Sequence, residues 1–173
     1  MGNNWKITDT LTKVFADEVP DGQGSIRLST LHRETVSCVI AYFGAADWGR
    51  YWKVSVKAPE KIETRLRRVE LVPSAYPCHK EQDDNYLRIV PGMYPDLLRD
   101  LNTEGDGADK KYLTKEVPGQ WRSLWLDVTV DAELAGGDYA IVIETETEDG
   151  EKETLKADLH VVDASLPPQK LLH

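Results

Sequence analysis

Only two cysteines, Cys38 and Cys78, occur among the 173 residues, with no CxxC pair and no ligand-spaced partner beside either. A disulfide framework and a thiolate metal centre are thereby excluded, because both need regularly clustered cysteines. Inert thiols are expected, with Cys38 inside an apolar strand. Long apolar runs are missing too. No segment approaches the ~18 residues that cross a bilayer as a helix, and Met1-Gly2-Asn3-Asn4-Trp5-Lys6 lacks the basic-then-apolar profile of a signal peptide. A cytoplasmic location without a membrane partner is the expectation. Positive charge is scarce as well: 21 Lys and Arg face 30 Asp and Glu, a net charge of −9. A surface of that sign repels nucleic acid and anionic lipid, so neither is an expected partner. Helical periodicity is absent over any ten-residue window, and 95–101, with Pro95 at its start, is expected to form at most one helical turn.

What the chain does have is alternation with a period of two. In 51–57 the even residues Trp52, Val54 and Val56 are apolar and their neighbours mostly polar, the pattern of a strand with one face on a core. The same reading covers 25–31, 34–43, 86–90, 121–130, 139–145 and 154–162. Segment 62–72 changes phase between Ile62, Leu66 and Val69, Leu71, which predicts a β-bulge near Arg67 or Arg68. Glu148-Asp149-Gly150 reads as a hairpin tip, and Ala135-Gly136-Gly137-Asp138 as a second turn. Two longer stretches, 73–85 and 102–111, read as loops, the second mobile. About nine short strands with little helix between them predict an all-β fold, an antiparallel β-sandwich of immunoglobulin, fibronectin or jelly-roll type.

Chemistry-bearing motifs are sparse. GxSxG, SxxK and HExxH are missing, and His32, His79, His160 and His173 are scattered, which suits surface or turn positions. The acid pairs Asp17-Glu18, Asp83-Asp84 and Asp131 with Glu133 have no second element converging on them, so no raised pKa is implied. Asp106 and Asp109 lack the remaining ligands of a calcium loop. No catalytic residue, metal site or cofactor is therefore expected. Aromatics carry more information: five Trp and seven Tyr stand against two Phe. If Leu124, Leu126, Val128 and Val130 face the core, Trp121 and Trp125 face away from it and need a cover: a loop of the chain itself, another domain, or a sugar ring. Trp48, in a turn, raises the same question.

Several runs taken in order, Asp83-Asp84-Asn85-Tyr86-Leu87, Pro91-Gly92-Met93-Tyr94-Pro95-Asp96-Leu97-Leu98, Gln120-Trp121-Arg122-Ser123-Leu124-Trp125 and Leu166-Pro167-Pro168-Gln169-Lys170-Leu171-Leu172-His173, resemble the N-terminal β-sandwich region of bacterial proteins of the glycoside hydrolase family 123 type. The resemblance lies mainly in the second half of the chain. In that family, of β-N-acetylgalactosaminidases and relatives, a (β/α)₈ barrel follows the sandwich and carries the adjacent Asp-Glu pair of substrate-assisted cleavage. The resemblance thus implies a sandwich over 1–165 and, at 166–173, the start of a linker to that barrel. It implies that these residues are non-catalytic and that Asp17-Glu18 is unrelated to the barrel's pair. The implied partner is the C-terminal barrel of the same polypeptide; the alternative is a module recognising N-acetylgalactosamine-containing glycans. Trp48, Tyr76, Tyr94, Trp121 and Trp125 are the candidate contacts for either.

Overall fold

The computed structural model describes residues 4–45, 50–79, 81 and 86–166. Its strands are β1 (Trp5–Thr8), β2 (Ser25–His32), β3 (Thr35–Phe43), β4 (Tyr51–Lys57), β5 (Ile62–Ser74), β6 (Gly92–Asp100), β7 (Asn102–Glu104), β8 (Lys111–Lys115), β9 (Trp121–Val130), β10 (Gly137–Thr147) and β11 (Lys152–Ser165). They form two sheets, one in the order β1-β3-β9-β5-β6 and the other β2-β11-β10-β4-β8-β7. The fold is all-β and sandwich-like, and among the described residues the one helical element is a 3₁₀ turn at Gly107–Asp109. Every strand pairing is antiparallel except β2 with β11, so the six-stranded sheet is mixed.

Alternation decides which side chains fill the space between the sheets. The even residues of β9, Leu124 to Val130, meet Trp52 and Val54 of β4, Ile141 and Ile143 of β10, and Leu155, Ala157, Leu159 and Val161 of β11, all buried. One end is closed by three rings. Trp5 stacks on Tyr42 with centroids 4.9 Å apart and meets Trp52 edge-on at 5.2 Å. Their polar atoms are satisfied inside, the Tyr42 hydroxyl 2.7 Å from Thr114 Oγ1 and the Trp52 indole N–H donating to buried Glu116 at 2.5 Å. Such rings bury large apolar areas while each polar handle finds a partner, which joins the first sheet to the second at a fixed register.

Several sequence expectations are corrected. Residues 95–100 extend as part of β6 and do not turn as a helix, because β5 offers pairing partners from Arg67 to Ser74. Residues 86–90 are irregular, not a strand. Segment 102–111 is not one loop: it carries β7, the 3₁₀ turn and the start of β8. No bulge interrupts β5 against β9, where the register runs unbroken from Ile62 to Val69. The phase change arises because Val69 is buried on the other face of the sheet. The irregularity that does exist lies on β6, where Asp96 is an extra residue between Pro95, opposite Leu71, and Leu97, opposite Glu70. His32 is buried, with Nε2 3.6 Å from the Asp163 carboxylate, and not on the surface.

Gly44 shows how tightly the ring-lined end closes. A Cβ built there would stand 2.2 Å from the Val117 carbonyl oxygen, and the Gly44 N–H donates to Gln120 O while its carbonyl accepts from Gly119. Gly44→Ala should therefore cost about 1–3 kcal/mol in chemical denaturation, the range for forced overpacking, whereas Gly24→Ala, in open space, should not. The thiols give a second check. Burial, with the Asp127 carboxylate adding to it, pushes the Cys38 thiol up to about 12, whereas Cys78 is partly exposed. Native protein at neutral pH should release one equivalent of thiol to Ellman's reagent quickly, and the second only on unfolding.

Candidate functional site

Strands β3 and β9 lie in the middle of the five-stranded sheet, and their second face is apolar too. Val39, Ala41 and Trp121 are buried on it together with Val14, and Phe43 and Trp125 pack against them. The cover is the segment 9–24 between β1 and β2. It is started by Asp9, whose Oδ1 accepts from Leu11 N–H and Thr12 N–H, both at 2.9 Å, and from Thr12 Oγ1 at 3.1 Å, an Asx turn that sets the chain across the sheet. Trp121 N–H donates to Ala16 O at 2.9 Å, and Lys6 donates to Pro20 O at 2.9 Å while its ammonium lies 5.4 Å from the Trp121 ring. Trp121 is left 7% exposed.

A second loop clasps the first. Arg88, from the connection between β5 and β6, lays its guanidinium 3.9 Å from the centroid of Phe15 and binds Asp17 at 2.8 Å and Glu18 at 2.5 Å. The adjacent acid pair Asp17-Glu18 is thus a clamp on an arginine, with both members serving one cation. Hydrogen bonding to Arg88 holds the Asp17 carboxyl below its ordinary value of 3.8. Tyr94 completes the junction, its ring edge-on to Phe15 at 5.7 Å and its hydroxyl donating to Val90 O at 2.6 Å.

Beyond the covered part the same face stays open. Trp125 is half-buried, and its indole N–H donates to Asp127 Oδ1 at 2.7 Å; Asp127 also accepts from Ser37 at 2.7 Å and from Arg67 at 2.5 Å. Three donors on one carboxylate fix the ring's orientation. In front of it lies a cleft of about 210 Å³ between residues 10–14 and the bulged part of β6. In the connection that leads into β6 and on β6 itself, large apolar side chains are exposed: Leu87 at 73%, Val90 at 57%, Ile89 at 52%, with Leu97 and Met93 close behind.

The candidate aromatics therefore divide. Tyr94, Trp121 and Trp125 converge on this face, the first two closed in by their own loops and Trp125 partly open to the cleft. Tyr76 is 92% exposed and does not anchor its loop, a task performed by Tyr94 and Arg88. Trp48 lies outside the described residues. The sequence reading missed segment 9–24 as a cover and Arg88 as its clasp; the run Val14-Phe15 between polar neighbours was the available signal. Among the described residues, no three His, Cys, Asp or Glu side chains gather as a metal would require.

No family model and no curated protein matches the sequence. Among solved structures, the backbone is similar to a family 123 glycoside hydrolase from Clostridium perfringens, with a TM-score of 0.64 at 10% identity over 94% of this chain. The chain spans 28% of the length of that protein. It is also similar to a PapD-like domain of human CEP192, with a TM-score of 0.44 at 11% identity over 94% of this chain and 87% of that one. A third likeness is to BcpA, the major pilin subunit of Bacillus cereus, with a TM-score of 0.42 at 8% identity over 92% of this chain and 40% of that one. At these identities the likeness is one of fold: an all-β sandwich of a kind found within a larger glycoside hydrolase.

The Arg88 clasp makes a pH prediction. A carboxyl held low in the folded state contributes stability that is present above its unfolded pKa and lost as pH falls through its folded value. Replacing Arg88 by Gln should flatten the decline of thermal stability below about pH 4, because Asp17 then titrates alike in both states. It should also speed amide exchange at 14–18 while leaving Leu124 to Val130 protected; unchanged exchange at 14–18 would refute the clasp.

Proposed function

We propose that the chain is a non-catalytic accessory sandwich of a larger protein of the glycoside hydrolase type, packed against a C-terminal (β/α)₈ catalytic barrel of the same polypeptide. The observation that carries this reading is the exposure of Leu87, Ile89, Val90 and Met93 in and just after the connection that leads into β6. A monomeric domain rarely leaves several large apolar side chains exposed within one short stretch of chain unless something lies over them. The opposite sheet looks different: its outer face is laced with Lys57–Glu144, Lys111–Glu146 and Lys156–Asp158 pairs, which suit water. The backbone likeness to the clostridial hydrolase, of which the chain spans 28%, supports the same reading.

The path of the chain constrains the packing. Leu166 N–H donates to His32 O at the end of the sandwich where Ile62 begins β5, whereas the apolar loop follows Ser74 at the other end. Thirteen strand residues separate those ends by roughly 40 Å at the usual rise per residue. A barrel entered after Leu166 reaches these side chains only by lying lengthwise along the β6 edge. Such a neighbour shapes one wall of a cleft between domains and shields barrel surface, which is the supporting role proposed.

The test compares the 173-residue chain with the longer polypeptide, using the double variant Leu87→Ser, Ile89→Ser. In the short chain both side chains are already in water, so its stability should move by no more than about 0.5 kcal/mol. In the longer protein the melting temperature and the activity should both fall. Equal effects in the two contexts, or a reading frame that stops at His173, would overturn the proposal.

A further inference from the structure

The core-facing side of β5 does not stay apolar along its length. Ile62 and Leu66 lie in the core, but Arg68 and Glu70 follow on the same face, because alternate residues of a strand share a side. Register brings two more arginines to them. Arg99 of β6 stands directly opposite Arg68, and Arg122 of β9, opposite Tyr42 on β3, comes one step beyond the pair of Val69 and Ser123, at the position across from Glu70. Like charges set opposite one another on neighbouring strands repel. Glu70 offsets part of this: its Oε1 accepts from Arg68 Nε at 2.9 Å and from Arg68 Nη2, and lies 3.7 Å from Arg99 Nε. Arg122 makes no ion pair among the described residues. Its Nη2 donates to Gln120 Oε1 at 2.9 Å, and its Nε is buried without a partner. Burial, the largest effect, raises the Tyr42 hydroxyl above its ordinary value, while Arg68 and Arg122 act to lower it and Glu70 to raise it, so these three groups lie within electrostatic reach of one ring.

We infer that Arg68, Arg99 and Arg122 form a binding site for a divalent tetrahedral oxyanion, a sulfate or phosphate group. Three guanidinium groups against one carboxylate leave a local surplus of two positive charges, which a dianion balances and a monoanion does not. Planar guanidinium forks match the paired oxygens of such a group, so the residue type suits the ligand as well as the charge does. The cluster sits where the core ends. Arg68 is flanked by buried Leu124 and Arg122 by buried Tyr42, and low-dielectric walls strengthen the pull of fixed cations on an anion. The chain's net charge of −9 opposes this weakly, because exposed charges more than ~10 Å away are largely screened at ordinary salt. Arg68 is already held by Glu70 and Arg122 by Gln120, so little side-chain ordering remains to oppose association. The site uses none of the exposed apolar side chains assigned to packing, and its failure would leave that role intact.

Titration of the 173-residue chain with inorganic sulfate, inorganic phosphate and glycerol phosphate at constant ionic strength, followed by arginine Nε–H and amide shifts in ¹H–¹⁵N spectra, tests the site. Saturable shifts centred on Arg68, Arg99 and Arg122 are expected, with dissociation constants in the millimolar range, and acetate should give none. A response to the inorganic ions alone would assign the site to a free oxyanion; a response to the ester as well would assign it to a group carried on a larger molecule. The decisive variant is Arg99→Gln, because that side chain is 62% exposed and its loss leaves the fold undisturbed. It should weaken binding about tenfold, the cost of losing a hydrogen bond to a charged group, without lowering the melting temperature of the anion-free protein. Glu70→Gln keeps an acceptor for Arg68 while removing a negative charge, so it should bind sulfate more tightly, a change that a purely structural arginine cluster would not produce. Absence of saturable shifts at ~50 mM, shifts mapping elsewhere, an equal response to acetate, unaltered affinity in Arg99→Gln or weaker binding in Glu70→Gln would each overturn the site.

Discussion

A strand in the middle of a sheet has two faces, and in this protein both faces of β9 must leave water. Leu124, Leu126, Val128 and Val130 do so between the sheets; Trp121 and Ser123 do so on the outside, under residues 14–16. An ordinary two-layer sandwich supplies one cover per sheet, so the second face of the five-stranded sheet needs a third layer. Segment 9–24 is that layer. Beyond a bridge from Gln23 to Ile7 it forms no strand or helix, and side chains add to the backbone bond at Ala16 in holding its shape: Asp9 at its start, and Arg88 on Phe15, Asp17 and Glu18 near its middle.

The functional asymmetry follows from this cover. One loop of modest length shields the part of the sheet near Trp121 but leaves the part near Trp125 and the β6 edge. The uncovered area is not uniform. Toward the cleft it is a fixed ring flanked by charges; along β6 and its preceding loop it is aliphatic and unpaired. The extra residue Asp96 lies at the cleft. The other sheet carries lysine and glutamate side chains paired across neighbouring strands.

Of the acid pairs weighed in the sequence, Asp83-Asp84 lies outside the described residues and the other two are engaged within the fold. Asp17 and Glu18 neutralise Arg88, Glu133 pairs with Lys61 at 3.2 Å, and Asp131 caps the turn that follows β9 by accepting from Glu133 N–H at 2.8 Å. For Asp17 the bond to Arg88 favours the charged form.

Much of the fold was legible in the sequence because period-two alternation is a local property. Trp52 and Val54, the even residues of β9, and the Asp149-Gly150 reversal each announce their role within a few positions, and the sandwich follows from their number and spacing. Strands that lack the pattern were not legible. β6 carries Pro95 and an extra residue, β1 spans four residues, and β7 and β8 sit among glycines and charges; each is a strand because a neighbour offers it a ladder, which is a nonlocal fact. The same holds for the site. Sequence alone placed Trp121 and Trp125 off the core face, since that needs only alternation. Which of the two a distant loop would cover was decided by tertiary structure, because those contacts join residues dozens of positions apart whose pairing no local spacing encodes.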